Sequence, residues 1–277
     1  MKQKFKYYSI LFFSRPLFFP FFMKLQKFIF WVTNRASAAM LPLSQTGEKI
    51  AFEYIFNKIK NNQHLVLFDC GANSGHYSEM MLEILKKNSY DSFELYLFEP
   101  SQFFHEELKE KFLKDERIKL IKKAVSDSNG EAKLFYPWVG AGNASLAQIY
   151  EDNVLNNNQK VFCETIQKIE MDIFCKESGI HKIDFIKLDI EGFEFKALKG
   201  LNQMIKSRKV QVIQFEQGIS SLNSRQLLKD FWDEFNSLYN FYLIMQNGLV
   251  KLDRYSADLE IFYGASNYIM ELNDLYE

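Results

Sequence analysis

The sequence predicts an α/β fold, with a doubly wound, seven-stranded, mostly parallel sheet, helices on both faces and an antiparallel last strand. Apolar runs such as Leu65–Phe68 are followed by an acid. This pattern is typical of buried parallel strands whose carboxyl ends border a binding site. Amphipathic segments follow these runs, for example with Tyr77, Met81, Ile84 and Leu85 at helical spacing. Strand-like and helix-like segments therefore alternate, which is the pattern of a sheet covered on both faces.

Composition limits the classes of function. The chain has 277 residues, 47% hydrophobic content and a formal net charge of −1, which suits one large globular domain plus an extension. After the first fifty residues the basic side chains alternate with acids, so we expect no nucleic-acid partner. The three cysteines, Cys70, Cys163 and Cys175, form no C-x-x-C pair, which predicts free thiols in a cytoplasmic protein.

Residues 1–45 are predicted to form a basic, aromatic N-terminal extension. Residues 1–47 contain seven lysines and arginines and no acid, and Arg15, Pro16, Pro20 and Lys24 interrupt every window long enough to span a bilayer. The apolar run Ile10–Phe13 is too short for a signal peptide. Two interpretations stay open: peripheral contact with the inner face of a membrane, or packing on the catalytic domain or on a second copy in a homo-oligomer.

The stretch from Leu65 to Ser78, LVLFDCGANSGHYS, predicts a strand that turns into a helix over a ligand. Gly71 and Gly75 permit tight or positive-φ turns that point backbone N–H groups at a bound molecule. A dinucleotide fingerprint would need a glycine where Asn73 stands. The spacing therefore disfavours a nucleotide-binding oxidoreductase, although that alternative is kept for testing.

A second acid is expected beside this glycine loop. Glu99 closes the apolar run Leu95–Phe98, and Pro100 follows it directly. Because the carboxyl ends of parallel strands meet at one edge of a sheet, Glu99 should lie near the glycines. A carboxylate in that place can accept hydrogen bonds from two ribose hydroxyls.

Further acids close further predicted strands. Ile118–Val125 is predicted as the third strand, followed by a turn in which Asp127 either contacts a ligand or merely caps the chain. Asp189 closes the buried run Ile183–Leu188, and Glu216 follows Val210–Phe215. Carboxylates crowded at one edge need partners such as hydroxyls, an amino group, water or a metal, and their pKa values should be coupled.

These motifs resemble a known family. The glycine loop with Glu99 resembles the S-adenosylmethionine site of class I methyltransferases, and DCGANSGHYS resembles the FkbM family in particular. The order Lys187, Asp189, Glu191, Gly192, Glu194 resembles that family's K-x-D-x-E-G-x-E signature. The resemblance covers roughly residues 46–270 and implies a Rossmann-like, S-adenosylmethionine-dependent methyltransferase domain over residues 46–277.

The resemblance also implies roles for individual residues. The residues expected to bind the cofactor S-adenosylmethionine are Asp69, Gly71, Asn73, Gly75, Glu99, Pro100, Ser126 and Asp127. The expected acceptor is a hydroxyl of a glycan or of a secondary metabolite, with a non-catalytic scaffold of the same fold as an alternative.

Catalysis needs a group that removes the acceptor's proton. Asp189 is the first candidate for this base, Glu191 and Glu216 are the next, and Lys187 would hold one carboxylate in place.

The remaining expectations concern the acceptor side. His76, Asn143 and Ser145 are predicted to line the substrate pocket, with the alternative that His76, on the first turn of a helix, is only a capping or surface group. A divalent cation bound by Asp189 and Glu216 is conceivable, because hard cations take carboxylate oxygens, but no metal site is predicted, since the sequence shows no clear set of ligands.

Overall fold

The computed structural model describes residues 2–32, 43–136, 162–260 and 264–273. Within these residues eleven strands form two sheets. The strands are β1 Leu65–Cys70, β2 Phe93–Phe98, β3 Ile118–Ile121, β4 Ala124–Ser126, β5 Gly130–Tyr136, β6 Phe162–Glu170, β7 Ile183–Leu188, β8 Val210–Gly218, β9 Tyr239–Met245, β10 Gly248–Leu252 and β11 Ala265–Leu272.

The large sheet has the order β10-β9-β11-β8-β7-β1-β2-β3. Strands β3, β2, β1, β7 and β8 are parallel, and β11 is antiparallel to β8. The doubly wound α/β class and the antiparallel last strand are thus confirmed. The sheet has eight strands instead of seven, because the turn at Gln246–Gly248 leads into the additional edge strand β10, which pairs with β9.

Helices cover both faces of this sheet. The bounds of all the α-helices in the described residues are α1 Lys2–Phe13, α2 Phe19–Val32, α3 Glu48–Ile59, α4 His76–Lys87, α5 Gln102–Phe112, α6 Met171–Glu177, α7 Glu194–Lys199, α8 Asn202–Lys206, α9 Ile219–Asn223 and α10 Leu228–Phe235. One core contains Phe52, Met81 and Leu108 from α3, α4 and α5. The other contains Phe174 and Phe231 from α6 and α10. Apolar side chains that alternate along the strands supply both cores.

The small sheet corrects one predicted strand. Ile118–Val125 is two strands, because β3 pairs with β2 whereas β4 leaves that edge and pairs with β6 in the order β4-β6-β5. The exposed Lys122 and Lys123 lie between them. The small sheet lies beside the carboxyl end of β2, where its residues Ala124, Val125 and Leu134 line one side of a cleft.

The topology places a crevice between β1 and β7. Strand β1 pairs with β2 on one side and with β7 on the other. Strand β3 therefore lies on one side of β1, and β8 lies on the opposite side. In open α/β sheets, ligands bind at the carboxyl ends of the strands where the order reverses. The glycine loop after β1 and the acidic stretch after β7 meet at this point.

The N-terminal helices expose apolar side chains beside their lysines. In α2, Phe19, Phe21 and Phe28 are 66%, 59% and 56% exposed. Among the helices of the described residues, none combines the length and the apolar character needed to cross a bilayer.

Candidate active site

A cleft with about 600 Å³ of free volume, part of it open to solvent, lies at this crevice. Six residues predicted from the sequence line it: Gly71, Asn73, Glu99, Pro100, Asp189 and Glu191. They come from three separate strand ends, which the parallel sheet brings to one edge. The rest of the lining includes Phe98, Phe104, Lys123, Ala124, Val125, Leu134, Ile190 and Phe193.

Gly71 joins the two halves of the cleft. Its φ is +84°, and a Cβ atom there would lie 1.9 Å from the carbonyl oxygen of Asp189. Only glycine allows the loop after β1 to approach the end of β7 this closely. Gly71 is therefore required by the fold, independently of any ligand.

Glu99 is held by backbone groups from two loops. The Asn73 N–H donates to Glu99 Oε2 at 2.9 Å, and the Ser101 N–H donates to Oε1 at 2.8 Å. Asn73 adopts the left-handed region, with φ +49°, which turns its N–H toward the carboxylate. Each oxygen keeps a lone pair for a further donor, so a pair of neighbouring hydroxyls fits this carboxylate.

Burial changes the protonation of Glu99. The side chain is only 6% exposed, and this burial raises its pKa to about 7 against the opposing effect of the two backbone N–H groups. Hydroxyl donors would favour the ionised form. A ligand that donates hydroxyls to Glu99 would therefore favour loss of its proton.

Two predicted cofactor residues lie behind the loop instead of on the cleft. Asp69 is fully buried, and Oδ2 accepts the Ser78 hydroxyl at 2.5 Å, which ties the end of β1 to α4. Burial raises the pKa of Asp69. Gly75 has φ +86°, and a Cβ there would lie 2.6 Å from the Phe112 ring. Its role in the structure is close packing of α4 on α5.

The stretch after β7 forms a tight loop. Glu194 Oε1 accepts the N–H groups of Ile190 at 3.0 Å and Gly192 at 3.1 Å. Glu191 has a left-handed backbone with φ +53°, a conformation that costs free energy in a residue with a side chain. The loop thereby turns the Glu191 side chain into the cleft, where it accepts a hydrogen bond from Ser220.

Three carboxylates lie close together at the ends of β7 and β8, and two of them, Asp189 and Glu191, line the cleft. One oxygen each of Asp189, Glu191 and Glu216 lies within 4.8 Å of the others. Burial, and then repulsion by Asp189 and Glu194, raises the pKa of Glu191 to about 8. The same two causes, burial and repulsion by Asp189 and Glu191, raise the pKa of Glu216 well above its usual range.

Lys187 provides a countercharge from behind. Its Nζ lies 2.7 Å from Asp189 Oδ2 and 4.5 Å from the centroid of the Tyr77 ring. Burial alone would lower the pKa of Lys187, but the carboxylates of Asp189, Asp69 and Glu48 raise it above its ordinary value. Lys187 therefore stays cationic. A permanent cation is suited to positioning Asp189, and it cannot act as a base.

The other predicted site residues lie apart from the cleft lining. Ser126 and Asp127 line a neighbouring recess, and the cleft itself is lined by Ala124 and Val125, just before them. The His76 side chain is 74% exposed and its Nδ1 lies 3.3 Å from Glu79 Oε2, so it is a surface group.

The predicted pocket residues Asn143 and Ser145 lie outside the described residues.

Sequence reasoning missed several residues of the site. Phe193 stands within the acidic motif and could have been found there. Asn267, which pairs directly with Glu216 across β11 and β8, carries no local signal.

Comparisons with known proteins identify a matching family and a relative. The methyltransferase FkbM domain family matches residues 69–241. A relative from Sinorhizobium fredii (strain NBRC 101917 / NGR234), 2-O-methyltransferase NoeI, is 28% identical over 145 residues, which are 49% of this chain and 56% of NoeI. The match therefore spans little more than half the length of that protein.

Solved structures align with this chain at a low level of similarity. The N-methyltransferase NodS from Bradyrhizobium japonicum WM9, in complex with S-adenosyl-l-homocysteine, aligns with a TM-score of 0.40 and 6% identity over 82% of this chain and 88% of that chain. A SAM-dependent methyltransferase from Agrobacterium tumefaciens aligns with a TM-score of 0.42 and 9% identity over 82% and 62% of the two chains.

Proposed function

The chain belongs to the FkbM methyltransferase family and is an S-adenosylmethionine-dependent methyltransferase, and on this premise we propose that it methylates a hydroxyl of a glycan or secondary-metabolite acceptor. The observation that carries the proposal is that Glu99 and the Asp189–Glu191 pair line the same cleft. One side offers acceptors for a sugar's hydroxyls, and the other offers acceptors for a proton.

Residues around Glu99 would hold the cofactor. S-adenosylmethionine, when bound, supplies an electrophilic methyl group on a sulfonium. Glu99 would accept the ribose hydroxyls, since both its oxygens are oriented by backbone N–H groups and each keeps a free lone pair. Gly71 and Asn73 form the floor of this side, and the apolar Phe98 and Val125 beside it suit the flat face of a base.

The acidic side would prepare the acceptor. A hydroxyl is a weak nucleophile, so its proton must leave as the new bond forms. Asp189 is our candidate for the proton acceptor, because it lines the cleft and Lys187 fixes one of its oxygens at 2.7 Å. Glu191 and Glu216, within 4.8 Å, are the alternatives. Much of the rate would come from alignment of the two reactants.

An oxygen acceptor is also supported by the name of one relative, the 2-O-methyltransferase NoeI. The test is transfer of a labelled methyl group from S-adenosylmethionine to a panel of saccharides, polyketide alcohols and amines. Base-stable methyl ethers would support the proposal. Transfer only to amines would contradict the acceptor class, and cofactor binding without any transfer would indicate the scaffold alternative.

A matched pair of variants makes the assay specific. Asp189→Asn removes the proposed proton acceptor but keeps its shape, and it should lower the rate at least 100-fold, within the range of general-base catalysis. Asp233→Asn alters an exposed acid that pairs with Lys229, and it should leave the rate unchanged. Equal rates in the two variants would remove Asp189 from the proposal.

The N-terminal extension is proposed to rest on an anionic membrane surface in the cytoplasm. Support comes from its seven cations without an acid and from exposed rings such as Phe21 and Phe28. The full chain should sediment with phosphatidylglycerol vesicles and not with phosphatidylcholine vesicles. Lys24→Glu with Lys27→Glu should weaken this binding, whereas a rise in molecular mass without vesicle binding would favour the homo-oligomer.

A further inference from the structure

Three clustered carboxylates share one bonded cation among the described residues. Asp189, Glu191 and Glu216 each place an oxygen within the same 4.8 Å. The cation in contact with them, Lys187, bonds Asp189 Oδ2 and also faces the buried carboxylates of Asp69 and Glu48. Among the described residues, no hydrogen bond to the Glu216 carboxylate is found.

A second observation is independent of the acids. Asn267 is 6% exposed, and its Oδ1 is buried without a hydrogen-bond partner among the described residues. Buried polar atoms are nearly always satisfied, so an orphaned one needs a partner such as an ordered water or an ion. The carboxamide oxygen is thus available to something that is not part of this chain.

Strand register directs Asn267 toward the acidic cluster. Asn267 on β11 lies directly opposite Glu216 on the antiparallel strand β8, so the two side chains project from the same face. Strands β7 and β8 pair Leu188 with Phe215, which makes Asp189 and Glu216 the next positions on each. Asp189, Glu216 and Asn267 therefore form one row across three neighbouring strand ends.

We propose that Asp189, Glu191, Glu216 and Asn267 form a binding site for a divalent metal cation of the Mg²⁺, Mn²⁺ or Ca²⁺ class. Such hard cations take carboxylate and carboxamide oxygens as ligands. Two oxygens on opposite sides of one of these ions lie about 4 to 5 Å apart, twice the usual metal–oxygen distance, which matches the observed spread. This proposal departs from the expectation, based on sequence, of no metal site.

The position of the site suggests its use. Asp189 and Glu191 line the cleft, so a bound cation would face the space where the acceptor is expected. A hydroxyl coordinated to a divalent cation loses its proton more readily. This use rests on the proposed methyl transfer to oxygen, whereas the presence of the site does not.

The test is a titration of the full chain with Mn²⁺ alone, without cofactor or acceptor, followed by the paramagnetic resonance of the free ion. One saturable site is expected, with Mg²⁺ as a competitor. Glu216→Gln should abolish it, and Asn267→Ala should weaken it at least tenfold. The control Asp233→Asn, an exposed acid, should leave it unchanged.

Each result decides the proposal. Absence of saturable Mn²⁺ binding by the folded full chain would overturn it, and so would binding that survives Asn267→Ala undiminished. Since Glu216→Gln could impair folding, Asn267→Asp serves as a second variant. It adds a carboxylate to the proposed ligands and should tighten Mn²⁺ binding. Binding of S-adenosyl-l-homocysteine by the same samples separates a failure of the metal site from a failure of the methyltransferase proposal.

Discussion

Two glutamates at the same sheet edge, Glu99 and Glu216, have opposite electrostatic surroundings. Glu99 follows β2, and its two oxygens accept backbone N–H groups from two different loops. Glu216, within β8, has other carboxylates as its near neighbours, and they raise its pKa along with burial. The difference separates the cleft into a half already organised for neutral hydroxyls and a half that needs a proton or a cation.

The contact between the two halves should be the most sensitive point. Gly71→Ala places a Cβ against the Asp189 carbonyl oxygen at 1.9 Å, so we expect the free energy of unfolding to fall by about 4 kcal/mol or more. Thermal or denaturant unfolding measures this loss. The control Gly179→Ala shares a positive φ, +68°, but has open space around it, and should cost roughly 1 to 2 kcal/mol. Equal losses would mean that backbone strain, and not the close approach, decides the effect.

The acidic half should depend on Lys187 for its stability. Lys187→Met leaves the Asp189, Asp69 and Glu48 carboxylates without their shared cation, and we expect a loss of about 3 kcal/mol in unfolding free energy. Lys199→Met is the matched control, because Lys199 pairs with Glu234 at 2.7 Å on the surface and should contribute less than about 1 kcal/mol. A small effect for Lys187→Met would contradict the proposed countercharge.

Cofactor affinity in the organised half should depend on the Glu99 carboxylate, where Glu99→Gln replaces one oxygen with an amide nitrogen. Glu99→Gln turns an amide N–H₂ toward a backbone N–H and removes the charge, so affinity for S-adenosyl-l-homocysteine should fall about 100-fold by calorimetry. The control is Glu94→Gln on the same strand. Glu94 accepts the Tyr96 hydroxyl at 3.0 Å, and its replacement should leave the affinity within about twofold. NAD should not bind any of these proteins. Unchanged affinity in Glu99→Gln would assign the ribose to another residue.

The smallest expected effect is one of pH. The pKa of Glu99 is raised to about 7, so this group is increasingly neutral below pH 7 in the free protein. Hydroxyl donors favour its ionised form, and affinity for S-adenosyl-l-homocysteine should therefore fall about tenfold per pH unit below 7 and level off above it. Calorimetry from pH 5.5 to 8.5 checks the slope. The Glu99→Gln variant should show no such slope, and a slope that persists there would place the titrating group elsewhere.

Local motifs predicted much of this site. Gly71, Asn73 and Glu99 lie where strand ends and turn residues indicated, because the carboxyl edge of a parallel sheet collects short sequence motifs. Asp189 was predicted in the same way, and Glu191 was predicted from the resemblance to the family signature. A motif near a strand end can therefore be located without knowledge of the tertiary structure.

Residues whose role depends on packing were not predictable. Gly75 belongs to a helix contact with Phe112, and Ser126 lies one residue beyond the cleft because the chain changes sheets at Lys122 and Lys123. Asn267 reaches Glu216 only through an antiparallel register between distant parts of the chain. Pairing of this kind leaves no periodic signal in the sequence.

The most direct test of the account is a crystal structure of the full chain with S-adenosyl-l-homocysteine. The account predicts that the ribose hydroxyls lie within hydrogen-bond distance of the Glu99 carboxylate, and that the sulfur faces the carboxylates of Asp189, Glu191 and Glu216. A ligand that lies with its ribose on the acidic cluster, or outside this cleft, would contradict the division of the site into two halves.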